Sequence, residues 1–328
     1  MVKYSLSFVV PTFNEKQSVD ILYKEIEDII KRIGSPSFEV VFVDDGSTDQ
    51  TPMVLDRLFK KYPNHVVIVT LRANFGKSEA LMRGFEACRN EIIVTLDADL
   101  QDDPSCLPKF LERIEEGYDF VCGWKKVRHD SIGKRLPSKV FNWGTAKLSR
   151  IPLQDFNCGF KVFRREFTKD LVFYGDQYRF LPVFAKHMGF KITEVEVNHR
   201  PRKFGVSKFG ALRLFTGSFD LITLLFLTRF SFAPLHFFGL FGVFLIILGT
   251  GVISTFELRK LLFNIPIGPG RPIIIVSATV AILGTLLIVF GIISELIISL
   301  TAKISNNNRA VNIKSLRDER DPGNHRKD

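Results

Sequence analysis

Four short apolar runs, at residues 5–10, 38–43, 66–71 and 92–96, punctuate the first hundred residues, and each stops abruptly in a polar cluster. Runs of Val, Ile, Leu and Phe that do not alternate with polar residues are the signature of strands covered on both faces. Between them the period changes. Val19, Leu22, Ile26, Ile29 and Ile33 recur at helical spacing, and helices are also expected over about 53–62 and up to Ala87. Strand followed by helix, repeated along the chain, predicts an α/β fold with a parallel, doubly wound sheet, whose ligands bind at the carboxyl ends of the strands. All four polar clusters fall at such ends: Pro11-Thr12-Phe13-Asn14-Glu15, Asp44-Asp45-Gly46-Ser47-Thr48-Asp49, Arg72-Ala73-Asn74-Phe75-Gly76-Lys77 and Asp97-Ala98-Asp99-Leu100-Gln101-Asp102-Asp103.

The last third reads differently. Residues 234–256 and 273–296 carry almost no charge, and each is long enough to cross the ~30 Å hydrocarbon layer of a membrane. Ahead of them, Leu212, Phe215, Phe219, Ile222 and Phe226 follow spacings of three and four, with Arg213 and Asp220 on another face. That is an amphipathic helix, suited to the bilayer interface or to packing on the soluble domain. The expected organisation is a soluble domain over 1–205, interfacial helices over 206–232, two transmembrane helices within 233–300 and a polar tail over 301–328. The mixed charge of the tail from residue 306 predicts disorder. Gly239, Gly242, Gly249 and Gly251 permit close helix packing, within one chain or in a homo-oligomer.

Charge adds orientation. The basic residues at 200–208 and from Lys303 outweigh Arg259, Lys260 and Arg271 in the loop between the spans, which places both termini and the soluble domain in the cytoplasm. The opening Met1-Val2-Lys3 runs straight into an apolar stretch that stops at Pro11, too short for a signal peptide, in agreement with that placement. Cys88, Cys106, Cys122 and Cys158 form no CxxC pair and are expected as reduced thiols. The net charge of +10 is spread over loops and tail without a block suited to nucleic acid, so the expected partners are a membrane and phosphorylated substrates.

Candidate chemistry concentrates in the fourth cluster. In an extended chain Asp97, Asp99 and Gln101 share a side and offer hard oxygen ligands to Mg2+ or Mn2+, leaving positions for the diphosphate oxygens of a nucleotide. A polar turn that merely closes a strand is the alternative. Asp155 stands among apolar residues, where a carboxylate is desolvated unless paired; it is a candidate general base, an orienting group or a turn cap. Two basic segments follow: one holds Lys125, Lys126, Arg128, Lys134 and Arg135, the other Arg200, Arg202, Lys203 and Lys208. For most of these lysines a solvated surface loop is the simpler reading.

Several stretches together resemble a family. Val9-Val10-Pro11-Thr12-Phe13-Asn14-Glu15, the Asp44 to Asp49 turn, Asn74-Phe75-Gly76-Lys77 and Asp97-Ala98-Asp99-Leu100-Gln101 are similar to the family 2 glycosyltransferases of the GT-A fold. Asp155-Phe156-Asn157-Cys158-Gly159-Phe160-Lys161, Asp176 to Pro182, and His199-Arg200-Pro201-Arg202 through Ser207-Lys208 ahead of two spans narrow the resemblance to the polyprenyl-phosphate glycosyltransferases. The resemblance implies a GT-A domain with a Rossmann-like, mostly parallel sheet. It implies that Pro11, Thr12, Asn14, Glu15, Asp44, Asp45, Lys77 and Asp97 bind the nucleotide-sugar, and that Asp97, Asp99 and Gln101 carry Mg2+ or Mn2+. Arg128, Lys134, Arg135, Ser138, Arg202 and Lys208 would bind acceptor or donor phosphates, with Asp155 and Asp99 as the catalytic pair. The implied reaction is transfer of a sugar, UDP-glucose favoured over GDP-mannose as donor, to a polyprenyl phosphate. The competing expectations are the same fold acting on another lipid or glycan, and a non-catalytic membrane scaffold.

Overall fold

The computed structural model describes residues 4–34, 37–126, 142–147, 149–169, 171, 173, 175–201, 204, 233–263 and 272–320, which fall into two compact units, Met1–Leu225 and Phe226–Asp328. In the first unit β1 (Leu6–Thr12), β2 (Phe38–Asp44), β3 (Val66–Thr70), β4 (Ile92–Thr95), β5 (Phe120–Trp124), β6 (Lys161–Arg164) and β7 (Ile192–Glu196) form one sheet in the order β3-β2-β1-β4-β6-β5-β7. The helices α1 (Val19–Ile33), α2 (Thr51–Lys61), α3 (Lys77–Ala87), α4 (Leu107–Glu115) and α5 (Leu181–His187) join them.

The apolar runs become strands because both faces are covered. Phe8, Val10, Val40, Phe42, Ile92 and Val94 pack with Leu22, Ile26, Leu55 and Phe110, while Val9, Val41, Val43 and Ile93 pack with Leu81, Phe85 and Leu181. Helix α1 buries Val19, Leu22, Tyr23, Ile26, Ile29 and Ile30 and ends at Gly34, whose φ of 64° lets its N–H reach the Ile30 carbonyl at 3.0 Å.

The four strands of the repeat pair in parallel and the sheet is mostly parallel, as expected; β6 alone runs antiparallel, to both β4 and β5. The cause lies in the path of the chain. β5 ends at the carboxyl edge and the chain next enters the sheet at Lys161, so it comes back in the opposite direction. β7 then pairs parallel with β5.

The second unit contains α6 (Pro234–Phe263) and α7 (Pro272–Arg320), of which Pro234–Phe263 and Pro272–Ile298 are long and apolar enough to cross a membrane. They pack through glycine. A Cβ at Gly242 would stand 2.5 Å from the Gly284 carbonyl oxygen, and one at Gly249 would stand 2.4 Å from that of Ser277. Gly239 and Gly251, which the sequence offered equally, have no such neighbour. Helix α7 continues past the apolar stretch to Arg320. The amphipathic segment expected over 206–232 lies outside the described residues.

Candidate functional site

Strands β2, β1 and β4 end side by side, Thr12 opposite Asp44 and Val9 opposite Thr95, so the turns that follow them meet at one edge of the sheet. Asn14 has a φ of 57°, a left-handed conformation that Asn tolerates better than most residues. Its Oδ1 accepts the N–H groups of Thr48 at 2.8 Å and Asp49 at 3.3 Å, and its own N–H donates to Ser47 Oγ at 2.9 Å. Asp44 Oδ1 accepts the Ser47 N–H at 3.1 Å, Thr12 Oγ1 donates to the Val43 carbonyl at 3.0 Å, and the Glu15 carboxylate accepts the Ser18 hydroxyl at 2.9 Å. Asp45 reaches to the third cluster, where its two oxygens accept the N–H groups of Phe75 at 2.8 Å and Gly76 at 3.0 Å. Each of these predicted nucleotide-binding side chains thus fixes a turn of the edge, and Asp45 is the clamp on residues 72–76.

The aspartate turn departs from the extended geometry expected of it. β4 stops at Thr95, Asp99 Oδ1 accepts the Gln101 N–H at 3.1 Å, and Leu100 takes a φ of 61°. Local side-chain capping of this kind competes with continuation of the strand. Alternation is therefore lost: the Asp97 side chain is 33 % exposed in the cleft, whereas Asp99 is buried. Asp97 Oδ1 is paired with Lys77 Nζ at the first residue of α3, and that ammonium also stands 5.0 Å from the centre of the Tyr178 ring. Burial opposes charge on both partners but the pairing prevails. The Asp97 carboxyl is held below the usual carboxylate range by Lys77, with Lys125 and Lys161 adding to the pull, and the Lys77 ammonium is held above its usual range.

Gly159 closes the floor of this cleft, which Pro11, Lys77, Lys161 and Tyr178 also line. A Cβ on Gly159 would lie 2.6 Å from Asp97 Oδ2, so glycine is what lets the backbone meet the carboxylate. Thr95 Oγ1 donates to the Gly159 carbonyl at 2.6 Å and fixes it there. Beneath the cleft Lys161 Nζ donates to the Cys158 carbonyl, and Lys125 Nζ, its side chain 13 % exposed, lies 2.7 Å from Oδ1 of the buried Asp102. Burial pushes the Asp102 carboxyl up while Lys125 pulls it down. The Lys125 ammonium, despite its own burial, is held above its usual range by Asp102.

Among the described residues no three His, Cys, Asp or Glu side chains converge into a ready metal cage. Of the expected ligands, Asp97 faces the cleft, backed against Gly159 and paired with Lys77, a hard oxygen donor, whereas Asp99 is buried and caps its own turn. That fits Mg2+ or Mn2+, which are commonly held by one or two carboxylates with water and phosphate oxygens completing the shell.

Asp155 is 1 % exposed, and its Oδ1 accepts the Asn157 N–H at 3.1 Å, the contact of a turn cap. Arg128, Lys134, Arg135, Ser138, Arg202 and Lys208 lie outside the described residues. Sequence reasoning passed over Asp102, Gly159 and Tyr178 and read Lys125 with the surface lysines. The signal for Lys125 was its place directly after β5, whose residues 120–123 are buried.

The chain can now be set beside known proteins. The family profile of Glycosyl transferase family 2 matches residues 7–172. The chain is 31 % identical over 290 residues to undecaprenyl-phosphate 4-deoxy-4-formamido-L-arabinose transferase of Pseudomonas savastanoi pv. phaseolicola, covering 88 % of this chain and 84 % of that protein. It is 32 % identical over 297 residues to dodecaprenyl-phosphate galacturonate synthase of Rhizobium johnstonii, covering 89 % and 87 %. Among solved structures, glucosyl-3-phosphoglycerate synthase from Mycobacterium tuberculosis, in complex with Mn2+ and UDP-glucose, superposes with a TM-score of 0.51 at 22 % identity over 69 % of this chain and 79 % of that one, a likeness of fold. The aspartate turn at the carboxyl edge, the clamped loops around it and the match over half the chain lead to one assignment: this protein is a glycosyltransferase and belongs to glycosyl transferase family 2.

Proposed function

We propose that the protein transfers a sugar, with inversion at the anomeric carbon, from a nucleotide-sugar to a polyprenyl phosphate at the cytoplasmic face of a membrane. The supporting observation is the length of its likeness to the two polyprenyl-phosphate sugar transferases. Alignments of 290 and 297 residues exceed the whole of Met1–Leu225, so the likeness extends beyond the sugar-transfer unit into the unit with the apolar helices. Those helices then hold the enzyme where its lipid acceptor resides.

A phosphate oxygen of the acceptor attacks the anomeric carbon opposite the diphosphate; the new carbon–oxygen bond forms as the bond to the diphosphate breaks, and nucleoside diphosphate leaves. A phosphate monoester is anionic at neutral pH and needs no base to activate it. Asp155, buried and engaged with Asn157, accordingly orients the site. Thr12, Asn14, Glu15, Asp44 and Asp45 shape the pocket for base and ribose, and Lys77 faces the diphosphate beside Asp97. Asp97, Asp99 and Gln101 would hold Mg2+ or Mn2+, which when bound supplies positive charge to the departing diphosphate. Arg128, Lys134, Arg135, Ser138, Arg202 and Lys208 are the proposed contacts for phosphates, drawing together two anionic reactants that otherwise repel.

The test is purified protein in detergent with Mg2+ or Mn2+ and a short-chain polyprenyl phosphate, screened against UDP-glucose, GDP-mannose and other UDP- and GDP-sugars for release of nucleoside diphosphate. The expected result is acceptor-dependent release with one donor, absent from Asp99→Asn. Release that ignores the acceptor, or none with any donor, would remove the assignment of polyprenyl phosphate.

A further inference from the structure

Asp97 is the expected ligand that faces the cleft, and it holds a cation of the chain's own. Lys77 Nζ is paired with its Oδ1. Of the three lysines that bear on Asp97, Lys125 is committed to Asp102 at 2.7 Å and Lys161 to the Cys158 carbonyl, so Lys77 is the one seated on the carboxylate itself.

The carboxylate cannot retreat from that pair. Gly159 backs it so closely that a Cβ there would stand 2.6 Å from Oδ2 and 2.9 Å from Oδ1, and the Thr95 hydroxyl fixes the Gly159 carbonyl at 2.6 Å. The lysine, in contrast, has a fixed root and a movable head. Its root is the first residue of α3, directly after the Phe75 and Gly76 N–H groups that Asp45 clamps at 2.8 and 3.0 Å. Its side chain is 27 % exposed on a flexible stem. The ammonium stands 5.0 Å from the centre of the Tyr178 ring, and Tyr178 is itself held by its backbone N–H, which donates to the buried Ser78 Oγ at 3.3 Å. The face of an aromatic ring attracts a cation but gives it no fixed partner.

Two cations compete for one carboxylate. A divalent ion and an ammonium on the same side chain repel each other, so a metal ion loads Asp97 only as Lys77 gives it up. An ammonium withdrawn from its partner loses that contact outright, whereas beside a diphosphate it acquires another anion. Metal ion and diphosphate each then ease the binding of the other, which is positive coupling.

We infer that Lys77 is a resident counter-cation that makes the loading of Asp97 with Mg2+ or Mn2+ conditional on a diphosphate: it holds Asp97 until a diphosphate offers its ammonium another anion, and it takes Asp97 back when nucleoside diphosphate leaves. This rests on the proposed nucleotide-sugar site and deepens it by giving Lys77 a role before and after the diphosphate is bound.

The test is Mn2+ binding by the full chain in detergent, with no sugar donor or acceptor present. It is read from the electron paramagnetic resonance signal of free Mn2+ with and without UDP or GDP, after subtraction of the Mn2+ that nucleotide holds by itself. The unaltered protein should bind Mn2+ weakly alone and more tightly with one of the diphosphates. Lys77→Gln should bind Mn2+ alone about tenfold more tightly, within the ~5–150-fold usual for coupled sites, and the tightening by UDP or GDP should shrink by a similar factor. The pair is partly exposed, so this variant is expected to fold. Lys126→Gln removes the same charge from the surface beside Glu196 and should leave Mn2+ binding within about twofold, because solvent and salt screen it. A lysine that only contacts phosphate predicts a different pattern, weaker nucleotide binding with Mn2+ binding alone unchanged. Should Lys77→Gln fold poorly, the unaltered protein decides: acetylation of Lys77, followed by mass spectrometry, should rise when Mn2+ alone is saturating and fall again when nucleoside diphosphate is added. Mn2+ alone bound no more tightly by Lys77→Gln, equal tightening by Lys126→Gln, or Lys77 acetylation indifferent to Mn2+ overturns the inference and leaves the function intact. Absence of Mn2+ binding with UDP and with GDP in the unaltered protein overturns the metal reading of Asp97 first, and this inference with it.

Discussion

Replacing Gly159 with Ala tests whether the cleft is built around Asp97. Gly159 is not among the residues with a left-handed φ, so alanine suits its backbone and the consequence is steric. The added Cβ would stand 2.6 Å from Asp97 Oδ2, 2.7 Å from Cγ and 2.9 Å from Oδ1, where ordinary contact begins at 3.4 Å. The Thr95 hydroxyl holds the Gly159 carbonyl at 2.6 Å, so the backbone resists and the short carboxylate side chain gives way, by about 0.8 Å. For the fold this is minor: the Lys77–Asp97 pair that is disturbed is partly exposed and contributes on the order of 1 kcal/mol or less. For the reaction it is large, since a misplacement near 1 Å at a positioned group costs about 100-fold in rate, or ~2.7 kcal/mol of transition-state stabilisation. The expected outcome is kcat/KM for the donor down about 100-fold and Mn2+-dependent binding of nucleoside diphosphate weakened, with a melting temperature close to that of the unaltered protein. Normal turnover and normal Mn2+-dependent binding in a folded Gly159→Ala protein would refute the placement of Asp97 at the diphosphate.

Asp45→Ala removes the acceptor of two backbone N–H groups and should cost about 1.5–3 kcal/mol locally, read as faster hydrogen exchange at Phe75 and Gly76 and weaker donor binding, with β1 and β2 amides unchanged. In the apolar helices, Gly249→Leu must push against the Ser277 carbonyl and should lower thermal stability in detergent by at least 1–3 kcal/mol, whereas Gly251→Leu, with open space around it, should be neutral; equal effects would contradict the packing described. Burial pushes the thiols of Cys88 and Cys122 up to about 12. The native state therefore holds these protons more tightly than the unfolded chain, whose thiols titrate near 8.5, so their contribution is complete below that pH and is lost as pH rises towards about 12. Iodoacetamide at pH 8.5 should leave both unmodified until denaturant is added, and the denaturation midpoint should fall between pH 9 and 11.

Much of the fold was legible because the strands of a sheet covered on both faces leave a direct trace in the sequence. β1, β2, β3 and β4 are apolar without alternation, and α1 carries its buried residues at helical spacing. β6 left no comparable trace. Its direction follows from where the chain stands after β5, and that depends on the route of the residues between them, which local composition does not encode.

At the site, residue types were legible and their prior commitments were not. The sequence singles out Asp97 and Asp99 from the four carboxylates of the turn by their alternation, yet the surroundings of all four differ. Asp97 faces Lys77 across the cleft, Asp99 caps its own turn, Asp102 is buried against Lys125, and Asp103 holds Ser105, Asn198 and Arg200. The lysines divide in the same way: Lys126 lies at the surface beside Glu196, while its neighbour Lys125 is part of the interior. This division has an electrostatic reason. Three carboxylates gathered without cations would lose much of their charge to desolvation and mutual repulsion. Lys77, Lys125 and Lys161 hold the Asp97 carboxyl below its usual range, and an ionised carboxylate is what the proposed binding of a divalent cation would need. A motif of aspartates read alone therefore understates the site, because Asp97 is set among lysines, of which Lys125 was the one the sequence assigned to the solvent.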